Sequence, residues 1–339
     1  MKLIIADKIS IAKRIHSAGV FGDGNDVIVT FGFGHWQYKI PKLKMHQIPY
    51  TEEPSKMELR FPKLSSMNSK CFARVEKSRF QMESLCIDGA LEIINKKISY
   101  YDEIIVCADC DGTGMYSAMQ IIERLDNKET PITTLNMMGY DEKSIQQAWK
   151  KRGINIWSDS SMGFGKKLAL QHTVKKYFDY WWYCNSALVL NELMQTLGIN
   201  TDKLMSKYEL MLILMIFQNK DFYLPNILKQ MERWRGTGKY KLSNYEEGIG
   251  SPASRSQIIQ NAIDRGVIED AGENKVTMSD KGIKFISYLH PKTFDPDLPF
   301  RLGMWIEAMD TDKPKAYISR VFGRQLRHQR SLFKKNGIC

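Results

Sequence analysis

Short apolar runs that end in an acid or a glycine and then lead into an amphipathic stretch recur over the first 140 residues, and this pattern constrains the chain more than any other. The first run, Leu3-Ile4-Ile5-Ala6, meets Asp7-Lys8 and a helical stretch from Ser10 to Ala18, with Ile11, Ile15 and Ala18 apolar and Ser10 as the expected N-cap. Val27 to Phe31 comes next and closes in Gly-Phe-Gly-His. Glu103 to Ala108 runs into Asp-Cys-Asp-Gly-Thr-Gly and a helix from Met115 to Arg124, and Ile132 to Leu135 adds a short strand. Strands alternating with helices imply an α/β fold with a parallel, doubly wound sheet. Between them, a region with Pro41, Pro49, Pro54 and Pro62 reads as loops and edge structure, and Arg74 to Ile94 has helical periodicity.

The pattern then changes to a mainly helical one, with stretches at Ser144–Trp149, Lys166–Leu197, Lys207–Phe217 and Leu224–Trp234. From Pro252 a helix carries Ile258, Ile259, Ala262 and Ile263 on one face, and Gly266 ends it. Val267-Ile268 and Lys275–Met278 form two short strands around a Gly-Glu-Asn turn before another helix at Gly282. Helix, two-stranded wing and helix outline a winged-helix-like unit over about residues 208–290. The expected organisation is an α/β domain over 1–150, a helical region over 151–312 and a basic C-terminal tail over 313–339.

Net charge is +11, and the tail supplies most of it: 313–339 holds eight lysines and arginines and no acid. Arg320, Arg324 and Arg327 share one helical face, while Val321, Phe322 and Leu326 give the segment something to dock. Such a face suits a phosphate backbone, and its plainer reading is a solvated tail. No apolar run approaches the ~18 residues of a membrane span, so a cytoplasmic protein with no membrane partner is expected. The six cysteines are scattered; Cys107 and Cys110 have C-x-x-C spacing but no second pair, so reduced structural thiols are favoured over a redox or zinc role.

Two strands end in acid, one at Asp7 and one at Asp109-x-Asp111. Ligands of open parallel sheets bind beyond the carboxyl ends of the strands, so these carboxylates converge if the strands are neighbours. Carboxylates that close need a cation, and hard oxygen donors select Mg²⁺ or Mn²⁺. Gly112 and Gly114 let the chain turn into a helix whose N-terminus attracts phosphate, which makes this a place for handling a phosphodiester. The plainer alternative is a pair of surface-turn acids.

These residues bring a family into view. Ile-Ile-Ala-Asp-Lys-Ile-Ser resembles the opening Ala-Glu-Lys-Pro-Ser segment of type IA DNA topoisomerases, in particular the topoisomerase III branch. Val29-Thr30 through Gly34-His35 resembles the next strand and its Gly-His pair, and Ile105–Gly114 resembles the Toprim Asp-x-Asp motif. Tyr177–Asn185 is similar to the helix carrying Ala-Asp-Trp and Asn, and Gly248-Ile-Gly-Ser-Pro-Ala-Ser-Arg255 to Gly-x-Gly-Thr-Pro-Ala-Thr-Arg, with Arg265-Gly266 beyond it. The matches occur in the family's order and cover most of residues 1–310.

The resemblance implies a Toprim sheet with Asp7, Asp109 and Asp111 as metal ligands and Lys8 against the scissile phosphate. It also implies a single-stranded DNA groove lined by His35, Ser251, Ser254 and Arg255. Arg233, Trp234, Arg235 and Trp36 offer charge and stacking to unpaired bases, although core packing is the plainer role for the tryptophans. Tyr180, Trp181 and Trp182 read as core.

Departures from the family narrow the function. None of the 15 tyrosines sits in the family's nucleophile motif, and only about sixty residues separate Asn185 from Gly248, too few for the strand-passage arch. Asp7 replaces a glutamate, Thr113 stands at the third Toprim acid and Gly112 at its arginine. Without a tyrosine no phosphotyrosyl intermediate stores the energy for resealing. The implied function is therefore an accessory factor or one part of a split topoisomerase, with a partner chain carrying the tyrosine. The alternative is a metal-dependent nuclease, and the second alternative a non-catalytic DNA-binding protein. An arch-less copy further implies a relative carried by a phage or mobile element.

Overall fold

The computed structural model describes residues 1–30, 36–38, 48–54, 58–59, 72–83, 85, 87–109, 111–126, 129–137, 139–152, 164–218, 223–240 and 248–337. The chain folds as two compact units, one of residues 1–39 and 54–173, the other of 40–53 and 174–339.

In the first unit β1 (Lys2–Ala6), α1 (Ile9–Ser17), β2 (Asp26–Val29), β3 (Trp36–Gln37) and β4 (Glu58–Leu59) are followed by β5 (Phe72–Glu76) and β6 (Arg79–Glu83). Next come α2 (Ile87–Lys96), β7 (Glu103–Cys107), α3 (Gly112–Ile122), β8 (Ile132–Thr134) and α4 (Glu142–Lys151). The main sheet has the order β6-β5-β2-β1-β7-β8, with β3 and β4 pairing apart from it. Strands β2, β1, β7 and β8 run parallel, and β5 and β6 add an antiparallel edge.

The central strand β1 is apolar on both faces because each face is covered by helices. Leu3 and Ile5 pack with Ile94, Met115 and Met119 on one side, whereas Ile4 and Ala6 pack with Ile11, Ile15 and Ile145 on the other. This is the expected α/β class. One acid inside the sheet is structural: buried Asp26 accepts from Arg74 Nε (2.9 Å) and Tyr101 Oη (2.6 Å).

The first half of the helix expected at Arg74–Ile94 is instead the β5–β6 hairpin. Its two-residue turn places Lys77 and Ser78 at φ 49° and 57°, the backbone of a type I′ turn, without the Asn-Gly signature that usually marks one. Ser10 is not an N-cap either. Helix α1 begins one residue earlier and Lys8 caps it through its carbonyl, which accepts from Ile11 and Ala12 at 3.1 Å.

The second unit takes up α5 (Phe164–Asn185), whose N-terminal part belongs to the first, and continues through a π-helical turn (Ser186–Leu190) into α6 (Asn191–Thr196). Beyond it lie α7 (Lys207–Gln218), α8 (Leu224–Glu232), α9 (Arg255–Asp264), β9 (Ile268–Gly272), β10 (Lys275–Met278) and α10 (Asp280–Ser287). A β-bridge joins Tyr223 to Lys275, so α7, a bridge residue, α8, α9 and a two-stranded wing succeed one another in the winged-helix order. The last elements are α11 (Leu298–Glu307) and α12 (Asp312–Lys335).

The segment expected as a basic tail is thus a 24-residue helix with one face in the core: Tyr317, Ile318, Val321, Phe322, Leu326 and Phe333 are all buried. Phe322 meets the Trp182 ring edge-on at 5.2 Å. Tyr180, Trp181 and Trp182 are core residues. Among the described residues no helix is long and apolar enough to cross a membrane.

Candidate functional site

Strands β1 and β7 are parallel neighbours with Ala6 opposite Cys107, so the residues after each strand emerge at one edge of the sheet. Asp7 is buried there, Lys8 is exposed, and Asp109 lies between those extremes. The Lys8 ammonium sits between the two acids, 3.5 Å from Asp7 Oδ2 and 3.6 Å from Asp109 Oδ2. Asp111 caps α3, its Oδ1 accepting the Gly114 N–H at 2.7 Å. Gly114 has no room for a side chain, because a Cβ would lie 2.2 Å from the Asp109 carbonyl oxygen. That close approach holds the first turn of α3 against the Asp109 backbone.

The charges act on one another. Burial raises the Asp7 carboxyl above the ordinary range; Lys8 opposes this, while Asp109 and Asp111 add to it. Asp7 and Asp109 raise the Lys8 ammonium in turn. Asp7 Oδ1 is buried and accepts no hydrogen bond from the described residues, although buried carboxylate oxygens are almost always satisfied. Among the described residues no three His, Cys, Asp or Glu side chains gather around one point. A hard cation needs fewer, since Mg²⁺ is often held by one or two carboxylates with water and phosphate oxygens completing the shell. Asp7, through its unpartnered oxygen, and Asp109 are the residues that could hold it, with Asp111, whose Oδ1 caps α3, adding its charge and its second oxygen beside them.

Asp7 also has a pH signature. Its folded pKa is raised, so the stability it contributes is complete when it is protonated in acid and is lost as pH rises through the folded value. Asp7→Asn, which mimics the neutral form, should therefore raise the unfolding temperature by a few degrees near neutrality and leave it unchanged in acid. A lower unfolding temperature near neutrality would show that the Asp7 charge is stabilising where it stands.

One member of this site carries no sequence signal: Tyr140, in the loop before α4, donates its hydroxyl to Asp109 Oδ1. That bond raises the phenol above its ordinary value. The Arg14 guanidinium lies 5.8 Å from the Tyr140 ring. The thiol of Cys107, inside β7, is buried and free, and burial raises it far above the range of a reactive cysteine. His35, Cys110 and the Trp36 side chain lie outside the described residues.

In the second unit the Gly248–Arg255 segment is a structural turn. Gly248 and Gly250 both have φ +73°, and Ile249 between them is fully buried with its N–H on the Met231 carbonyl at 2.8 Å. Ser251 and Ser254 were expected to bond phosphate but bond each other at 3.0 Å, and Ser254 Oγ also donates to the Ser251 carbonyl. Arg255, expected as a surface phosphate contact, is buried in the first turn of α9. The motif thus shapes the start of α9 and presents little of itself.

Arg233 and Arg235 are exposed, as expected of phosphate contacts. Trp234 between them is half-buried and donates its indole N–H to the Pro296 carbonyl at 2.8 Å, so it is tied to the loop before α11. On α12, Arg320 and Arg327 are exposed and Arg324 is half-buried. No model of a known protein family matches the chain, and no curated protein matches it at a significant level.

Proposed function

We propose that this chain binds DNA, mainly single-stranded, through a Toprim-like carboxylate–lysine site and a basic helical unit, and that it acts as an arch-less, type IA topoisomerase-like accessory factor. A partner chain would supply the tyrosine. The observation that carries this reading is the meeting of Asp7, Lys8 and Asp109 at the carboxyl ends of two adjacent parallel strands, with one buried carboxylate oxygen unpartnered.

In this reading Lys8 holds a phosphodiester oxygen by direct ion pairing, and α3, capped by Asp111, turns its N-terminal dipole towards the phosphate. Bound Mg²⁺ or Mn²⁺ would neutralise charge building on the phosphate oxygens. Tyr140 restrains the Asp109 carboxylate and leaves its other oxygen to Lys8 or to a cation. The winged-helix order of the second unit and the exposed arginines of α12 support binding to a nucleic-acid backbone.

A second reading is favoured by the same unpartnered oxygen: a Toprim-type, metal-dependent nuclease using the Asp7, Asp109 and Asp111 carboxylates and Lys8. The two part in one experiment. Single-stranded and negatively supercoiled DNA are incubated with the chain and Mg²⁺, quenched in denaturant and resolved beside Asp111→Asn. Asparagine caps a helix as well as aspartate does, so this variant keeps the fold and loses one charge. The accessory reading expects intact DNA and salt-sensitive binding that Asp111→Asn preserves or tightens. Nicks that vanish in the variant establish the nuclease instead. DNA linked covalently to protein would overturn both and make Tyr140→Phe the next variant. No binding to either DNA would end the DNA reading altogether.

A further inference from the structure

We propose that a crevice between α12 and the α10–α11 connection is a pocket for a phosphodiester of the DNA strand, and that filling it takes up a proton. Its occupant rests on the DNA reading above; the pocket itself rests on its lining. That lining is His290 and Lys292 from the connection and Arg324, Arg327 and His328 from α12, around a cavity of about 450 Å³. Every one of these side chains is a cation or can become one, and no carboxylate is among them. Like charges gathered on two packed elements repel unless an anion joins them. The volume suits a nucleotide unit better than a lone small ion.

The pocket is built rather than frayed. Gln325, fully buried, accepts the His290 N–H at 2.8 Å and the Thr293 hydroxyl at 2.9 Å, and its amide donates to the Tyr288 carbonyl at 3.0 Å. This pins the connection to α12. The Lys292 N–H donates to His290 Nδ1 at 3.0 Å, which leaves Nε2–H as the donor of the neutral ring. The His290 and His328 rings meet edge to face at 5.3 Å. Burial holds His290 below its ordinary value, and His328, Arg324, Lys292 and Arg327 push it the same way. A phosphate among these groups reverses their repulsion, so its binding favours the charged form of His290, whose ring then gives up the Lys292 N–H bond and donates from both nitrogens.

A phosphodiester keeps one negative charge throughout the histidine range, whereas orthophosphate loses charge there as pH falls. Binding of the strand therefore tightens in acid through the protein alone. The test uses the full chain and labelled oligothymidine without terminal phosphates, monitored by anisotropy at about pH 8 and about pH 5.5, at fixed ionic strength. Arg324→Gln/Arg327→Gln should weaken binding roughly tenfold and reduce the salt slope by about 1.4, the share of two contacts on a single strand. Lys143→Gln/Lys150→Gln on α4 removes the same charge elsewhere and should do much less. The wild type should bind several-fold tighter in acid, and His290→Gln/His328→Gln should lose that gain while keeping the unfolding temperature.

Unchanged affinity and salt slope in the arginine variant would overturn the pocket, and so would an acid gain that survives in the histidine variant. If the wild type binds no oligonucleotide, the DNA reading has failed, and pyrophosphate added during NMR titration of the histidines decides what remains. A raised pKa for His290 would keep an anion pocket and overturn the strand as its occupant. No change would overturn both.

Discussion

Arg265→Met should lower the stability of the second unit by about 3–5 kcal/mol, the usual cost of removing one partner from a buried ion pair. Arg265 and Glu209 are both almost fully buried. The guanidinium donates to both carboxylate oxygens, from Nε at 2.6 Å and from Nη2 at 3.3 Å. Its remaining nitrogen donates to the carbonyls of Asn200 and Lys203, each at 2.9 Å. Methionine fills part of the volume but leaves Glu209 charged within the apolar helix α7, with two carbonyls stripped of donors. Adding Glu209→Leu should recover much of the loss, because the uncompensated charge is its larger part. Urea unfolding of the two variants checks this; a loss below about 1 kcal/mol for Arg265→Met would mean that water reaches Glu209.

Gly248→Ala should be comparably severe, at about 3 kcal/mol, combining a left-handed backbone with a steric clash. A Cβ at this position would lie 2.1 Å from the Met231 carbonyl oxygen and 2.9 Å from that of Glu232. Both are main chain at the end of α8, so relief means moving the helix or the turn. Gly266 is the control. Its φ of +76° is just as restrictive, yet nothing lies within 4 Å of its would-be Cβ. Gly266→Ala should therefore cost only the backbone term, about 1 kcal/mol. Equal losses in the two variants would assign the whole effect to backbone conformation and none to the contact with α8.

Much of the fold was legible because it arises from periodicity. The runs at Leu3–Ala6 and Glu103–Ala108 could be read as buried strands with acidic ends, and it is their pairing as neighbours in the folded sheet that brings those ends to one edge. The wing could be read from Gly266 and the Gly-Glu-Asn turn. The β5–β6 hairpin could not, since Lys77-Ser78 adopts a turn that its composition does not announce. The C-terminal segment was legible in part: Val321, Phe322 and Leu326 could be read as a docking face beside Arg320, Arg324 and Arg327, whereas the burial of Tyr317 and Phe333 along a 24-residue α12 comes from packing.

The candidate site was legible only along the chain. Asp7, Lys8 and Asp109 can be placed from strand ends, but Tyr140 reaches Asp109 from 31 residues away through a loop with no motif. His290 and Lys292 come to Arg324 and Arg327 only by tertiary packing. The Gly248–Arg255 segment misled in the opposite direction. Its serines and arginine have the chemistry of phosphate ligands and are spent on the local turn and the interior.

Asn185 has a consequence for the order of synthesis. Its side chain accepts the Tyr50 N–H at 2.7 Å and donates to the Tyr50 carbonyl at 2.8 Å, while Trp181 donates to the Glu52 carbonyl at 2.7 Å. These partners sit in the short early segment of the second unit, 135 residues upstream of Asn185 in the case of Tyr50. On a translating ribosome that segment emerges before its helix and waits for it roughly 7–27 s while residues 54–173 of the first unit are being made. A gene cut between the units would strand it on the wrong side, so the second unit cannot be inherited, fused or transplanted as a single uninterrupted stretch of chain.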